Sequence, residues 1–172
     1  AGQRHLRNLQ RLVPDVRIVA WRVRGWDLVI DERLRAERGR HPEEVYGVQA
    51  VRRLDDALAQ RPDAVIVANP IAMHCETALA AVKAGCAVFI EKPLSDRWEG
   101  VDELLERSRR AQLVTMVGYQ MRFHPALRRV KQYLDDGRVG APVSAQLHFG
   151  EYLPGMHPYE DYRQGHAARK AE

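Results

Sequence analysis

Three short clusters join charged or amide side chains to apolar runs: Asn69-Pro70 with His74 four residues on, Glu91-Lys92-Pro93, and Gln120 with Arg122. The middle one is the most pointed. Val88, Phe89 and Ile90 read as a strand buried on both faces, and it stops at an acid, a base and a ring that has no N–H to donate. In an open parallel sheet the ligand crevice lies at the carboxyl ends of the strands, which puts Glu91 and Lys92 at the mouth of a site. Acid, base and amide groups there suit proton transfer and hydrogen-bonded placement of a ligand. Each cluster also has a plainer reading. Glu91 and Lys92 are then strand-end charges, His74 a helix-start histidine satisfied by backbone, and Gln120 and Arg122 part of a solvated turn.

The elements that must position these groups alternate. A helix over Gly2–Leu12 carries Leu6, Leu9 and Leu12 on one face. Val16–Trp21 reads as a strand, Leu28–Arg38 as a charged helix, Gly47–Val51 as an extended piece and Leu54–Gln60 as a brief helix. A second buried strand, Asp63–Ala68, ends at Asn69-Pro70, and a helix rich in alanine follows until Gly85. After the Val88 strand come a helix over Arg97–Arg110, a strand over Val114–Gly118, and a helix from Pro125 to Asp136. Such alternation predicts βαβ units in a doubly wound parallel sheet with right-handed crossovers, an α/β fold of Rossmann type. Val143–Phe149 alternates apolar and polar residues, as a strand of a different, one-sided sheet would. We therefore expect residues 1–138 to form one domain and residues 139–172 to begin an α/β second domain.

With 172 residues, 45% hydrophobic and 29% charged, the chain has the composition of a folded globular protein. No apolar run approaches a membrane span and no secretory h-region is present at the start, so a cytoplasmic location without membrane association is expected. The net charge is +4 and the pI near 9.3, but Asp27, Asp31, Glu32 and Glu37 interleave with Arg22, Arg24, Arg33, Arg35, Arg38 and Arg40. That mixture describes a solvated face better than a nucleic-acid footprint. Cys75 and Cys86 lack metal-ligand spacing and read as buried thiols, and no metal is expected.

In this order and spacing, Asn69-Pro70 with His74, Glu91-Lys92-Pro93 and Gly118-Tyr119-Gln120-Met121-Arg122-Phe123-His124-Pro125 resemble the Gfo/Idh/MocA family of NAD(P)-dependent oxidoreductases. The resemblance runs over nearly the whole chain. It implies a Rossmann domain followed by an α/β substrate domain, and hydride transfer between nicotinamide and a hydroxyl-bearing carbon of a sugar, cyclitol or similar small molecule. Lys92 takes the catalytic place. Ala1 and Gly2 match the tail of the glycine-rich phosphate loop, so the resemblance implies a chain lacking the first strand and truncated at both ends, inactive alone. Asn69, Pro70, His74, Glu91, Gln120 and Arg122 match cofactor-lining positions; Ile71 stands where the family has a polar residue, which puts one ribose or nicotinamide contact in question. The family's second-domain histidine would lie beyond Glu172, with His157 and His166 as poor substitutes. Relatives also pair subunits through the second domain, so a homo-oligomer is expected at full length.

The strand Val16–Trp21 runs into Arg22 and Arg24 with no acid before Asp27. An acid there accepts hydrogen bonds from ribose hydroxyls, whereas a guanidinium grips a 2′-phosphate, which favours NADP over NAD unless Asp27 folds back onto the ribose. Two rival classes stand beside the oxidoreductase: a non-catalytic dinucleotide-binding sensor or degenerate paralogue, and a basic nucleic-acid-binding domain.

Overall fold

The computed structural model describes residues 1–25 and 27–164; His166 lies outside them. The backbone separates into two compact units, Ala1–Gly118 and Tyr119–Glu172. The first contains α1 (Gly2–Leu12), β1 (Val19–Trp21), β2 (Leu28–Ile30), β3 (Ala36–Arg38), α2 (Pro42–Tyr46), β4 (Gln49–Val51), α3 (Leu54–Leu58), β5 (Ala64–Val67), α4 (His74–Lys83), β6 (Ala87–Ile90), α5 (Val101–Arg110) and β7 (Thr115–Val117).

Parallel pairing dominates. β1 pairs with β4, and β5, β6 and β7 lie in that order, with Val67 opposite Ile90 and Ile90 opposite Val117. The doubly wound order 3-2-1-4-5-6 explains the division into separate sheets. The pair β4–β1 corresponds to its 3-2 half and β5–β6–β7 to its 4-5-6 half, and no strand among the described residues joins β1 to β5.

The core covers one face of the three-stranded sheet. Val67, Val88 and Ile90 pack with Cys75, Ala78, Ala81 and Val82 of α4, Cys86, and Val101 and Leu104 of α5. Ala78 and Ala81 are fully buried, so α4 approaches the sheet closely, and Cys75 and Cys86 are free thiols in this layer. Phe89 points to the opposite face and is only half-buried.

Residues 28–38 form a hairpin, not the helix their charge density suggests. Leu28, Val29 and Ile30 favour an extended backbone, and Asp31 closes the turn by accepting the N–H groups of Arg33 and Arg35, both at 2.8 Å. Leu34 takes the left-handed conformation at φ 59°. The α1 helix holds the hairpin in place. Gln3 donates to the Leu28 carbonyl at 2.8 Å and accepts the Ile30 N–H at 2.9 Å, so one side-chain amide occupies the edge a neighbouring strand would use. Arg7 adds bonds to the Ile30 carbonyl at 2.6 Å and the Tyr46 hydroxyl at 2.9 Å. The short α2 helix has readable signals: Pro42 in its first turn, Glu43 and Glu44 beside it, and Gly47 at φ 59° after its end.

The second unit contains a 3-10 turn over Gln120–Phe123, α6 (Pro125–Asp135) and α7 (Leu153–Met156). The His124 ring caps α6 by accepting the Ala126 N–H at 3.3 Å. Residues 143–149 form no strand, despite their alternation. A strand needs a hydrogen-bonded neighbour, and no described residue pairs with this segment. No helix of the described residues is long and apolar enough to cross a membrane.

Candidate functional site

The register of β5 and β6 sets the site's frame. Because Val67 stands opposite Ile90, Asn69 and Lys92 leave their strands side by side at the carboxyl edge. Asn69 donates through Nδ2 to Thr77 Oγ1 at 2.8 Å, while its Oδ1 is buried and has no partner among the described residues. A buried acceptor of this kind is satisfied by a donor from outside the protein, an N–H or O–H of a ligand or a water. Thr77 thus orients Asn69, a role its place one turn into α4 does not advertise in sequence.

Next to Asn69, the His74 ring is buried and faces two backbone carbonyls, Pro93 at 2.8 Å from Nδ1 and Asn69 at 2.9 Å from Nε2. It pins the exits of β5 and β6 together. Both ring nitrogens face backbone carbonyls of the protein, one of them donating, which is the helix-start reading of this residue, and Pro70 lies exposed beside it. Lys92 is also exposed, and its ammonium makes no hydrogen bond or ion pair with the described residues. The Lys92–Pro93 bond is cis.

Glu91 is turned the other way. Its Oε1 meets His5 Nε2 at 2.7 Å and lies 3.5 Å from an Arg4 guanidinium nitrogen, and its Oε2 accepts the Lys92 N–H at 3.3 Å. Burial alone would raise this carboxyl's pKa; the hydrogen bond and charge of His5, then the Lys92 N–H and Arg4, outweigh it and hold it below the usual carboxylate value. His5 sits edge-on to the Phe89 ring, centroids 5.3 Å apart. Sequence reasoning missed His5; its signal is a histidine on the inner face of the first helix, one turn from Gly2.

At the start of α1, Ala1 occupies the cap position without a side-chain hydrogen bond into the helix, and the space around Gly2 is open. At the end of β1, Arg22 is ion-paired with Glu43 and both are partly buried. Arg24 is exposed, and Asp27 is committed to the hairpin through its carbonyl, which accepts the Gly39 N–H at 2.8 Å. Arg52 braces the loop between them by donating to the Val23 carbonyl at 3.0 Å. Gln120 and Arg122 lie in the second unit on the exposed 3-10 turn.

These residues fit a dinucleotide: a buried acceptor with no partner among the described residues stands beside an exposed ammonium on the carboxyl edge of parallel strands. Fold and site together define a dinucleotide-binding Rossmann protein. The chain belongs to the Gfo/Idh/MocA group, described as an oxidoreductase family with an NAD-binding Rossmann fold, whose model matches residues 1–119. Among curated relatives, inositol 2-dehydrogenase 3 of Saccharopolyspora erythraea is 32% identical over 98% of this chain and 46% of its own length. A probable dehydrogenase from Thermotoga maritima superposes with a TM-score of 0.65 at 28% identity, over 82% of this chain and 39% of that one. The WlbA dehydrogenase from Bordetella pertussis, solved with NADH and UDP-GlcNAcA, gives a TM-score of 0.54 at 32% identity, over 57% of this chain and 31% of its own. The chain spans from 29% to 46% of the length of the first curated relatives it matches.

Proposed function

We propose that this chain carries the dinucleotide-binding part of an NAD(P)-dependent oxidoreductase acting on a hydroxyl-bearing carbon of a sugar, cyclitol or similar small molecule. The observation that carries the reading is the pairing of Lys92, exposed and without an ion partner among the described residues, with Asn69 Oδ1, which has no hydrogen-bond partner among them, on the adjacent strand exit. A nicotinamide cofactor supplies the hydride chemistry when bound. The chain's own groups supply placement and proton handling. The first turn of α1 takes the pyrophosphate on its outward N–H groups, Asn69 accepts a hydrogen bond from the ligand, and Lys92 holds the substrate oxygen or moves its proton. His74 acts behind them, keeping the two strand exits in register.

The substrate class is supported by the relatives' names, inositol dehydrogenases and a dehydrogenase complexed with a UDP-sugar acid. For the cofactor's adenosine end we infer NADP over NAD. Because Glu43 neutralises Arg22, the weight falls on Arg24, which is exposed at the end of β1. Assembly as a homo-oligomer and a cytoplasmic location belong to the same proposal. The test is reduction of NADP⁺ and NAD⁺ by the full-length protein with a panel of inositols and UDP-sugars, with Lys92→Met as control. Turnover that Lys92→Met leaves intact sinks the assignment of Lys92, and dinucleotide binding without turnover on any polyol favours the sensor instead.

A further inference from the structure

The Glu91 carboxylate follows directly on the β6 strand beside Lys92 in sequence, yet in space it is spent inside the protein. His5 and Glu91 are 86 residues apart and meet at 2.7 Å, with their side chains only 16% and 12% exposed. Both carboxylate oxygens are engaged, Oε1 by His5 and Arg4 and Oε2 by the backbone N–H of Lys92. Glu91 is itself tied to the sheet, its N–H donating to the Val67 carbonyl at 2.9 Å. On the other side the His5 ring is fixed edge-on against Phe89.

We propose that His5 is a positioning residue: through Glu91 it braces the first turn of α1 to the backbone of Lys92, so that the phosphate end and the reacting end of the site are held by one contact. This rests on the reading that α1 receives the dinucleotide phosphates. The brace differs from a surface ion pair, whose contribution is small, because losing the His5 donor leaves a largely buried carboxylate without its shortest hydrogen bond. The charged or titratable groups facing that carboxylate are Arg4 and His5 from α1; Lys92 contributes its backbone N–H from the strand exit. Glu91 is thereby assigned to holding the protein together across the site, and the ligand contacts fall to Asn69 and Lys92.

The test uses the full-length protein with His5→Met, which removes the donor and keeps bulk, and His5→Gln, whose amide can donate from a similar place. Two NMR signals are followed: the titration of the Glu91 side-chain carboxyl carbon, and the Lys92 amide resonance as NADH is added. The brace predicts a higher Glu91 midpoint in His5→Met, a return toward wild type in His5→Gln, and a Lys92 response to NADH that His5→Met abolishes. An unmoved Glu91 midpoint in His5→Met overturns it. If the wild-type α1 first-turn amides ignore NADH, the dinucleotide reading fails, while the midpoint still decides the brace. Should His5→Met not fold, Glu91→Gln is read from the α1 side, where unchanged first-turn amides overturn the proposal.

Discussion

The ring of Phe89 occupies the space a side chain on Gly118 would need: a Cβ built on the glycine would lie 2.9 Å from Phe89 Cζ. The same ring also meets His5 edge-on, with centroids 5.3 Å apart. Gly118→Ala should therefore destabilise the chain by about 1–3 kcal/mol, as overpacking does. It should also displace His5 from Glu91. Denaturant unfolding measures the first effect and the His5 ring resonances the second; an unchanged midpoint of unfolding would show that Phe89 has room to move.

Phe89, His5 and Gly118 also mark where sequence reasoning stops. The βαβ run from β5 to β7 is legible because its strands are short, continuous apolar runs, Val65-Ile66-Val67 and Val88-Phe89-Ile90, ended by polar residues. Lys92 and Asn69 follow directly from those strand ends. The hairpin over residues 28–38 is not legible in the same way. Its alternating charges satisfy a helical face as well as a solvated ribbon, and the deciding features are the Asp31 turn and the grip of Gln3, a contact made from 25 and 27 residues away. Residues 143–149 fail in the opposite sense, since alternation marks a face but cannot create a partner strand. The His5–Glu91 contact has no local signature at all.

The core prediction is the simplest. Leu104 of α5 is fully buried in the core cluster with residues of α4 and the sheet, and α5 depends on it and Val101 for its seat. Leu104→Ala should cost about 2–5 kcal/mol, the loss of buried methyl groups plus the cavity they leave. Thermal unfolding checks it, and a cost below about 1 kcal/mol would mean that α5 collapses into the gap.

A second stability prediction concerns acid. The Glu91 carboxyl is held below its ordinary value of 4.5, so its charged form is favoured by folding. A group depressed in the folded state contributes stability above its unfolded pKa and loses it as pH falls through the folded pKa. Stability should therefore fall as pH drops below about 4.5, and Glu91→Gln should flatten that part of the profile. Asp31 is also depressed, by backbone hydrogen bonds from Arg35 and Arg33 and by the Arg35 side chain against opposing desolvation, and it is half-buried, so Asp31→Asn is the control that separates the two. Equal slopes in wild type and Glu91→Gln would remove Glu91 from the account.

For catalysis, Lys92→Met in the full-length protein should lower kcat by roughly 10²–10⁴-fold with little change in dinucleotide affinity, since proton transfer contributes in that range. The affinity should hold because the Lys92 ammonium makes no hydrogen bond or ion pair with the described residues. Asn69→Ala should behave differently. It removes the orphaned acceptor and frees Thr77, so its main effect belongs on cofactor KM. Parallel losses of kcat in both variants would mean that the two residues act as one structural unit.

The cofactor preference turns on which arginine is available. Arg22 spends its guanidinium on Glu43, and Arg52 is drawn down onto the loop carbonyls, whereas Arg24 stands exposed at the end of β1. A charge-assisted hydrogen bond to a 2′-phosphate is worth about 1.5–3 kcal/mol, or about 10- to 100-fold in kcat/KM. Arg24→Ala should lower kcat/KM for NADP⁺ by that factor and leave NAD⁺ nearly unchanged. Arg22→Ala should instead strand the partly buried Glu43 without its ion partner, and so reduce stability more than selectivity. Kinetics with both cofactors, set beside unfolding curves for the two variants, distinguishes these roles. If Arg22→Ala alone changes the NADP⁺ to NAD⁺ ratio, the guanidinium must leave Glu43 to meet the phosphate, and the ion pair is then a competitor of the cofactor.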